Sequence, residues 1–250
     1  MNKPTKFDNR RAQLRAAQIQ QAKRAKNQRI ALFSVIGVVV IALVVAGVLL
    51  VNRFSQSEVT VAGTPPHATA AQDGIIANPG QAAEGAPKVE VFLDYQCPAC
   101  AQFEATFGPQ LLQMGENGEI DLIFRTMTFL DANMRNDAST RAANAAACAD
   151  LTGRYTDYHM TVFANQGTSG YTDEQLTETF PAQAGITGAE LDTFSQCYAD
   201  KDFRGFVNKV DDEAGRSGVT GTPTLHVNGE EVDRTQLTSP VALRELLLAS

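Results

Sequence analysis

Two cysteines separated by two residues are the part of this sequence best suited to chemistry. Cys97 and Cys100 enclose Pro98 and Ala99, and the apolar run at 89–93 leads into them through residues 94–96. Residues three apart share one face of a helix, so two thiols at this spacing can close a disulfide and reopen it by thiol exchange. The same spacing also provides half of a zinc site. The other residues of the chain indicate whether the pair is a redox dithiol or half of a zinc site.

The predicted secondary structure places this dithiol where a strand ends and a helix begins. A helical pattern runs from Ala101 to about Met114, and Pro98 suits the first helical position, where a missing N–H costs no hydrogen bond. A helix start has unpaired N–H groups and about half a positive charge, which favour a thiolate. We therefore expect Cys97 to cap the helix with a lowered pKa, which makes the disulfide more oxidising.

A zinc site would need a second pair of ligands at a suitable spacing. The other two cysteines are far apart, and the three histidines are scattered along the chain: Cys148, Cys197, His67, His159 and His226. The sequence therefore predicts no metal and no cofactor beyond a redox-active disulfide of the dithiol. An inert structural disulfide is the alternative that remains.

The elements around the dithiol indicate an α/β sheet domain over residues 88–250. Strands are predicted at 89–95, 120–128, 224–227 and 231–232, the last two joined by an Asn-Gly turn. The pattern between the second and third strands, at about 131–216, is mostly helical, and a last helix is expected at 240–249. A strand–helix–strand unit, a block of helices and a strand–strand–helix unit predict one sheet with a helical insertion.

The amino-terminal residues predict a membrane anchor. Residues 1–29 hold nine Lys/Arg against one acid, Asp8, and residues 30–51 hold no charge. A helix over those 22 residues spans about 33 Å, which matches a bilayer core and is longer than the apolar part of a cleaved signal. Because Lys/Arg-rich ends stay in the cytoplasm, we expect a single-pass cell membrane protein whose carboxyl-terminal domain is extracytoplasmic.

The charge of the chain argues against nucleic acid as a partner. Without residues 1–29, the 21 Lys/Arg and 28 Asp/Glu of the chain become 12 and 27, a net charge of −15. The basic arm by itself could bind nucleic acid or anionic lipid, but we interpret it as setting the membrane topology. Residues 52–87, rich in Gly, Pro, Ala and Gln, are expected to form a flexible linker, of which 74–77 could add an edge strand.

Taken together, these features resemble DsbA-type thiol-disulfide oxidoreductases on the thioredoxin fold, of the membrane-tethered kind seen in actinobacterial envelopes. The resemblance covers about residues 88–250. It rests on two motifs, Phe-Leu-Asp-Tyr-Gln-Cys-Pro-Ala-Cys-Ala-Gln-Phe-Glu at 92–104 and Gly-Thr-Pro-Thr at 221–224. It implies a thioredoxin-like α/β fold in which the helices at about 131–216 are the insertion.

The resemblance also implies the roles of several residues. Cys97 would be the exposed nucleophile, and Cys100 the buried thiol that resolves mixed disulfides. The Thr222–Pro223 bond would be cis and would lie beside Cys97, where the Thr222 backbone can pair with an extended substrate chain. Proline before a strand is otherwise an ordinary turn residue.

The remaining cysteines are implied to form a second, structural disulfide, Cys148–Cys197. Closing a loop of about 50 residues would stabilise the domain by about 4 kcal/mol on the chain-entropy model. A second redox-active pair is the alternative, but neither cysteine lies at a predicted helix start.

One position departs from the family pattern. Many thioredoxin-fold enzymes carry a buried acid six residues before the first cysteine, where this chain has Val91. The nearest upstream carboxylate is Asp94, which we expect to support the strand–helix junction together with Pro98 and Ala99, with its side chain as a helix cap. The group that deprotonates Cys100 is therefore left open between water and the chemistry of the partner. His159 is expected to be packed or solvent-facing rather than a proton shuttle.

The predicted function is that of an enzyme that donates disulfides to secreted proteins by exchange at Cys97 and Cys100. The partners would be unfolded secreted proteins with free thiols. From the resemblance, a quinone-linked membrane protein, either a vitamin K epoxide reductase homologue or DsbB-like, would reoxidise the dithiol. Two alternatives are an envelope reductase or isomerase, and a tethered chaperone or binding module whose dithiol is incidental.

Overall fold

A computed structural model of the protein describes residues 63–250. The predicted basic arm at 1–29, the membrane anchor at 30–51 and the first part of the linker lie outside these residues. Within 63–250, none of the helices has the length and apolar character needed to cross a membrane.

A five-stranded sheet carries the dithiol. Its strands are β1 (Ile75–Ile76), β2 (Lys88–Leu93), β3 (Asp121–Thr126), β4 (Thr224–Val227) and β5 (Glu230–Glu231). Their order across the sheet is β1-β3-β2-β4-β5. The two central strands β2 and β3 are parallel, and the other neighbours are antiparallel. The parallel pair needs a crossover connection, which the helix after the dithiol provides.

Eight α-helices lie within the described part of the chain. They are α1 (Pro98–Glu116), α2 (Leu130–Met134), α3 (Ala138–Asp150), α4 (Tyr155–Ala164), α5 (Phe180–Gln183), α6 (Ala189–Asp200), α7 (Arg204–Arg216) and α8 (Pro240–Leu248). A π-helical turn, Gln175–Thr179, leads into α5. Helices α2 to α7 lie between β3 and β4, so the predicted α/β fold with a helical insertion is confirmed.

The helix α1 begins at the dithiol for the reason that its sequence indicates. Cys97 has extended backbone angles and is the N-cap residue, and Pro98 takes the first helical position. The apolar side chains on one face of the helix are spaced three or four residues apart and are buried, as are Phe103, Phe107 and Leu111. This spacing gives a helix the single apolar face with which it packs on a sheet.

Both faces of the central strand β2 are covered. Val89, Val91 and Leu93 are fully buried in the main core. Phe92 points to the other face, where it belongs to a smaller apolar cluster with Met127, Ala214 and Val219. Because the two faces are both covered, the end of β2 is held firmly, and the residues that follow it start from a fixed point.

The flexible linker predicted at 52–87 is wrong for the residues that the structure describes. The strand β1 pairs with β3, with Ile75 opposite Phe124, so the edge strand suspected at 74–77 is present. The buried Asn78 amide donates to the carbonyls of Gly115 and Ile120, at 2.9 and 3.1 Å. Residues 63–87 therefore belong to the folded domain. Their Gly- and Pro-rich composition reflects tight turns rather than disorder.

The insertion is cross-linked by a disulfide. Cys148 in α3 and Cys197 in α6 are bonded, as the resemblance implied, with 49 residues of sequence separation. Both side chains are buried.

Removing this cross-link should destabilise the domain. With Cys148 and Cys197 both changed to Ala, we expect the free energy of unfolding to fall by about 4 kcal/mol, because the unfolded chain regains the entropy of the open loop. Urea unfolding measures the free energy of unfolding of the wild type and of the double variant. The same buffer keeps the Cys97 and Cys100 thiols reduced in both proteins. Mass measurement verifies that the wild-type cross-link is intact. A double variant as stable as the wild type would contradict the structural role of this disulfide.

Candidate active site

The pairing of β2 with β4 brings two distant parts of the chain to one place. In the sheet, Phe92 lies opposite Thr224, so the residues after Leu93 and those before Thr224 meet at the same edge. The Thr222–Pro223 bond is cis, as the resemblance implied. The Cys97 thiol donates to the Thr222 carbonyl at 3.4 Å. The dithiol and the Thr-Pro loop are thus one site.

The two cysteines differ in exposure, although less than expected. Both are free thiols. Cys97 is 8% exposed and Cys100 is fully buried, while Pro98 and Ala99 between them are exposed. The expectation of an exposed Cys97 was therefore wrong, because this residue is buried, with its sulfur 3.4 Å from the Thr222 carbonyl oxygen. Cys97 is still the more accessible of the two.

The two thiols hold their protons with very different strength. A hydrogen bond from the Cys100 thiol, together with the nearby Thr222 side chain and the N–H groups of Cys100 and Ala99, lowers the pKa of Cys97 to about 5. Burial, with the neighbouring Cys97 sulfur, raises the pKa of Cys100 far above its ordinary value. At neutral pH the pair therefore has its negative charge on Cys97 and its proton on Cys100.

Asp94 does not cap the helix α1, contrary to the expectation. The start of α1 has no side-chain cap. The buried Asp94 carboxylate instead accepts hydrogen bonds from the N–H of Gln96 at 2.8 Å, the N–H of Leu130 at 3.2 Å and the hydroxyl of Ser139 at 2.6 Å. Burial raises its pKa to about 6. Asp94 thus ties the loop before Cys97 to the beginnings of α2 and α3.

Gln96 belongs to the same polar network, a role that its residue type did not indicate. Its amide nitrogen donates to Asp131 at 2.8 Å, to Asn136 at 2.9 Å and to the Ser139 hydroxyl at 2.8 Å. All three partners lie in the insertion. A polar residue beside a reactive cysteine would have suggested contact with substrate, whereas Gln96 is buried and structural.

Two further side chains of the insertion hold the backbone at the dithiol. The Gln166 amide donates to the carbonyls of Tyr95 and Cys97, at 2.7 and 3.0 Å. The Tyr171 hydroxyl donates to the same Tyr95 carbonyl at 2.6 Å. Neither residue could be predicted from the sequence, because both bind backbone carbonyls, and every residue type has such a carbonyl. The insertion therefore fixes the position of the N-cap residue.

The histidines lie in three different settings. His67 contacts Asp150 at 2.7 Å, and His226 lies against Phe92. His159 is fully buried. Of the packed and the solvent-facing positions that the sequence allowed, it therefore has the packed one. Over residues 63–250, no group of three or more His, Cys, Asp or Glu side chains is placed to hold a metal ion.

A family model described as thioredoxin matches residues 80–246, and this chain belongs to that family. The structure is similar to that of MdbA, a thiol-disulfide oxidoreductase from Actinomyces oris, with a TM-score of 0.65 and 22% identity over 76% of this chain and 94% of that one. It is also similar to reduced DsbA from Mycobacterium tuberculosis, with a TM-score of 0.57 and 25% identity over 70% and 90% of the two chains. The predicted resemblance to the DsbA type is confirmed.

A curated relative supports the same class. The probable disulfide bond formation protein D of Bacillus cereus is 27% identical over 146 residues, which are 57% of this chain and 65% of that protein. The match thus spans less than two thirds of the relative. It agrees with the prediction that the chain is a protein thiol-disulfide oxidoreductase.

The Thr222 hydroxyl should contribute to the low pKa of Cys97. Its oxygen is buried and makes no hydrogen bond within residues 63–250, so it is free to donate to a thiolate, and it lowers the pKa of both thiols. In Thr222→Val we expect the Cys97 pKa to rise by roughly one unit, the value of one hydrogen bond to a charged group. Thiolate absorbance at 240 nm, recorded against pH on the reduced protein, measures it.

The matched control is Thr224→Val, two residues further on. The Thr224 hydroxyl donates to the Gly221 carbonyl at 2.9 Å, so its loss should leave the Cys97 titration unchanged. Equal titration curves for Thr222→Val and wild type would show that the hydroxyl does not stabilise the thiolate.

Proposed function

We propose that this protein donates disulfides to secreted proteins that carry free thiols, as a dithiol oxidase of the DsbA type. The observation that carries the proposal is the contrast between the two adjacent sulfurs. Cys97 has a pKa of about 5 and lies at the surface end of the site, whereas the Cys100 pKa is raised by burial. Such a pair gives one good leaving group and one protected thiol.

The exchange begins from the Cys97–Cys100 disulfide. A substrate thiolate attacks the Cys97 sulfur, a bond between that sulfur and the substrate forms, and the Cys97–Cys100 bond breaks. Cys100 leaves as a thiolate and takes up a proton. A second substrate thiolate then attacks the substrate sulfur of the mixed disulfide and expels Cys97 as a thiolate. The substrate has lost two electrons, and the dithiol has gained them.

The low Cys97 pKa favours this direction over reduction of substrates. Each unit by which the pKa is lowered stabilises the thiolate, and hence the reduced dithiol, by about 1.4 kcal/mol. A dithiol that is stable when reduced forms an oxidising disulfide. The reductase or isomerase alternative would need a dithiol that is easier to oxidise, and equilibration against glutathione buffers separates the two.

The Thr222 loop is the proposed binding place for the substrate chain. Its carbonyl oxygen lies 3.4 Å from the Cys97 sulfur, and Pro223 has no N–H to compete for the sulfur. When Cys97 is bonded to a substrate, the Thr222 carbonyl becomes available to the backbone beside the substrate cysteine. Pairing of two extended chains holds many sequences equally well, which suits an enzyme with many protein substrates.

The location and the second partner are proposed from the sequence. An apolar stretch at 30–51 after a basic arm supports a membrane anchor with the dithiol domain outside the cytoplasm. Reoxidation would then fall to a quinone-linked membrane protein, of the vitamin K epoxide reductase or DsbB-like kind. Protease accessibility of the domain in intact cells tests the orientation.

The activity is tested by oxidative refolding of a reduced protein with several cysteines. We expect the oxidised wild type to accelerate disulfide formation, and Cys97→Ser to abolish it because no sulfur is left for the substrate to attack. Mixed with a substrate protein that already holds a disulfide, Cys100→Ser should instead accumulate a mixed disulfide at Cys97, because Cys97 attacks the substrate disulfide and no Cys100 thiol is left to resolve the product; mass detects it. An active Cys97→Ser variant would refute the exchange mechanism. A protein without oxidase activity that still binds unfolded chains would favour the tethered binding module.

The stability of the reduced protein should depend on pH through Cys97. The pKa of this thiol is lowered from 9.0 to about 5 by folding, so its contribution is complete above about pH 9 and is lost as the pH falls through 5. Relative to Cys97→Ser, which cancels the effect of other groups, reduced wild type should gain about 2 kcal/mol between pH 5 and 7. Urea unfolding at the two pH values measures the difference. An unchanged difference would mean that the thiolate is not stabilised.

A further inference from the structure

A buried acid and a buried histidine lie between α1 and α4 without hydrogen bonds to each other. Five buried side-chain atoms in residues 63–250 make no hydrogen bond, and three of them are both carboxylate oxygens of Glu104 and the Nε2 of His159. Neither residue is exposed at all. Groups of this kind are rare in folded proteins, and each one calls for an explanation.

The side chains of Glu104 and His159 lie close to each other. The distance from Glu104 Oε2 to His159 Nε2 is 3.6 Å, within ion-pair range but beyond a hydrogen bond. On its other side, His159 Nδ1 is hydrogen-bonded to the Tyr95 hydroxyl at 2.9 Å. Gly108 leaves the room for the carboxylate, because a Cβ at this position would come 2.5 Å from Oε2.

The surroundings are aromatic, and within residues 63–250 neither Glu104 nor His159 makes a further ion pair. The rings of Phe124 and Phe163 lie with their centroids 4.2 and 5.1 Å from that of His159. The titratable groups that face the pair are the phenols of Tyr95 and Tyr155, with Asp150 acting on Tyr155 from the end of α3. A carboxylate and a neutral imidazole together carry one negative charge. One added proton, on either group, brings the net charge of the pair to zero. An apolar pair of equal volume would serve packing better.

The proposed reaction needs a proton at this depth. Cys100 is fully buried and leaves the disulfide as a thiolate with a raised pKa, so it must take up a proton where bulk water does not reach. The three hydrogen bonds that Asp94 accepts occupy both of its oxygens. Glu104 follows Cys100 by four residues on the buried face of α1, which places their Cβ atoms about 5–6 Å apart.

We propose that the Glu104–His159 pair holds the proton that Cys100 takes up when the disulfide opens. The inference rests on the proposed function. As the substrate thiolate bonds to Cys97 and the Cys97–Cys100 bond breaks, the Cys100 thiolate accepts one proton from the pair, which is left with one proton fewer. In reoxidation by a disulfide, the same proton returns from Cys100 to the pair. The freed thiolate then attacks the mixed disulfide at Cys97 and releases the partner's thiolate.

The test isolates the step in which Cys100 loses its proton. Reduced protein is mixed with excess oxidised glutathione, and acid-quenched samples are analysed by mass. Attack by Cys97 forms a glutathione mixed disulfide, and attack by Cys100 then closes the Cys97–Cys100 bond. We expect Glu104→Gln and His159→Gln to slow the second step at least tenfold at pH 7 and to approach the wild-type rate at high pH, where hydroxide takes the proton. The first step should be unchanged.

The matched control is Glu116→Gln, which removes an exposed carboxylate from the last turn of the same helix. Both steps should keep their wild-type rates in this variant. If Cys97 of the wild type does not attack glutathione disulfide at neutral pH, the proposed function fails. If it attacks normally and Glu104→Gln closes the disulfide as fast as wild type, this inference alone is overturned.

A second measurement does not depend on catalysis. The chain contains three histidines, so the imidazole nitrogen signals of His159 can be assigned by NMR with His67→Gln and His226→Gln. We expect these signals to differ between the oxidised and the reduced wild type at pH 7, and the difference to vanish in Glu104→Gln. Identical His159 signals in both redox states of the wild type would overturn the proposal.

Discussion

The negative charge on the Cys97 sulfur is the feature on which the rest of the site depends. Its stabilising groups come from the first turn of α1 and from Thr222, which is 125 residues away in sequence. A hydrogen bond to a sulfur anion is useful only if donor and acceptor are held in place before the charge appears. The pairing of β2 with β4 provides this, because it leaves the cis Thr222–Pro223 bond and the start of α1 at one edge of the sheet.

The helical insertion also has a part in placing the dithiol. Asp94, Gln96 and the carbonyl of Cys97 are all bonded to residues that lie between β3 and β4. The arrangement has an energetic cost, since burial raises the pKa of Asp94 to about 6 and so opposes its ionised form. A buried network in which every member has a partner specifies one conformation. The loop before Cys97 is therefore not free to follow an incoming substrate.

The sequence contained the parts of the site that follow from residue type and spacing. A Cys-x-x-Cys pair with proline at the helix start, a Thr-Pro before a strand and an α/β pattern with a helical insertion all follow local rules. What it could not predict depends on partners remote in sequence. Gln166 holds backbone carbonyls, Asp94 binds the starts of two helices rather than its own, and Glu104 meets His159 only after α4 packs on α1. The prediction of a flexible linker was wrong for residues 63–87, because the residue types that form tight turns are also those of flexible linkers.

The Cys97 and Cys100 thiols differ in pKa and accessibility because burial increases across one helical turn, from Cys97 to Cys100. This difference in burial has two consequences. Toward the surface it leaves Cys97 among N–H and hydroxyl donors, so the sulfur is a stable anion and a good leaving group. Toward the interior it protects Cys100 from other thiols but also separates it from water, since this residue is fully buried. A thiol that gains and loses a proton without contact with solvent needs a buried partner. This partner gives up a proton when the thiol gains one and takes the proton back when the thiol loses it. The environment that lowers the pKa of Cys97 and buries Cys100 is thus also the reason why we infer a proton-holding pair, Glu104 and His159.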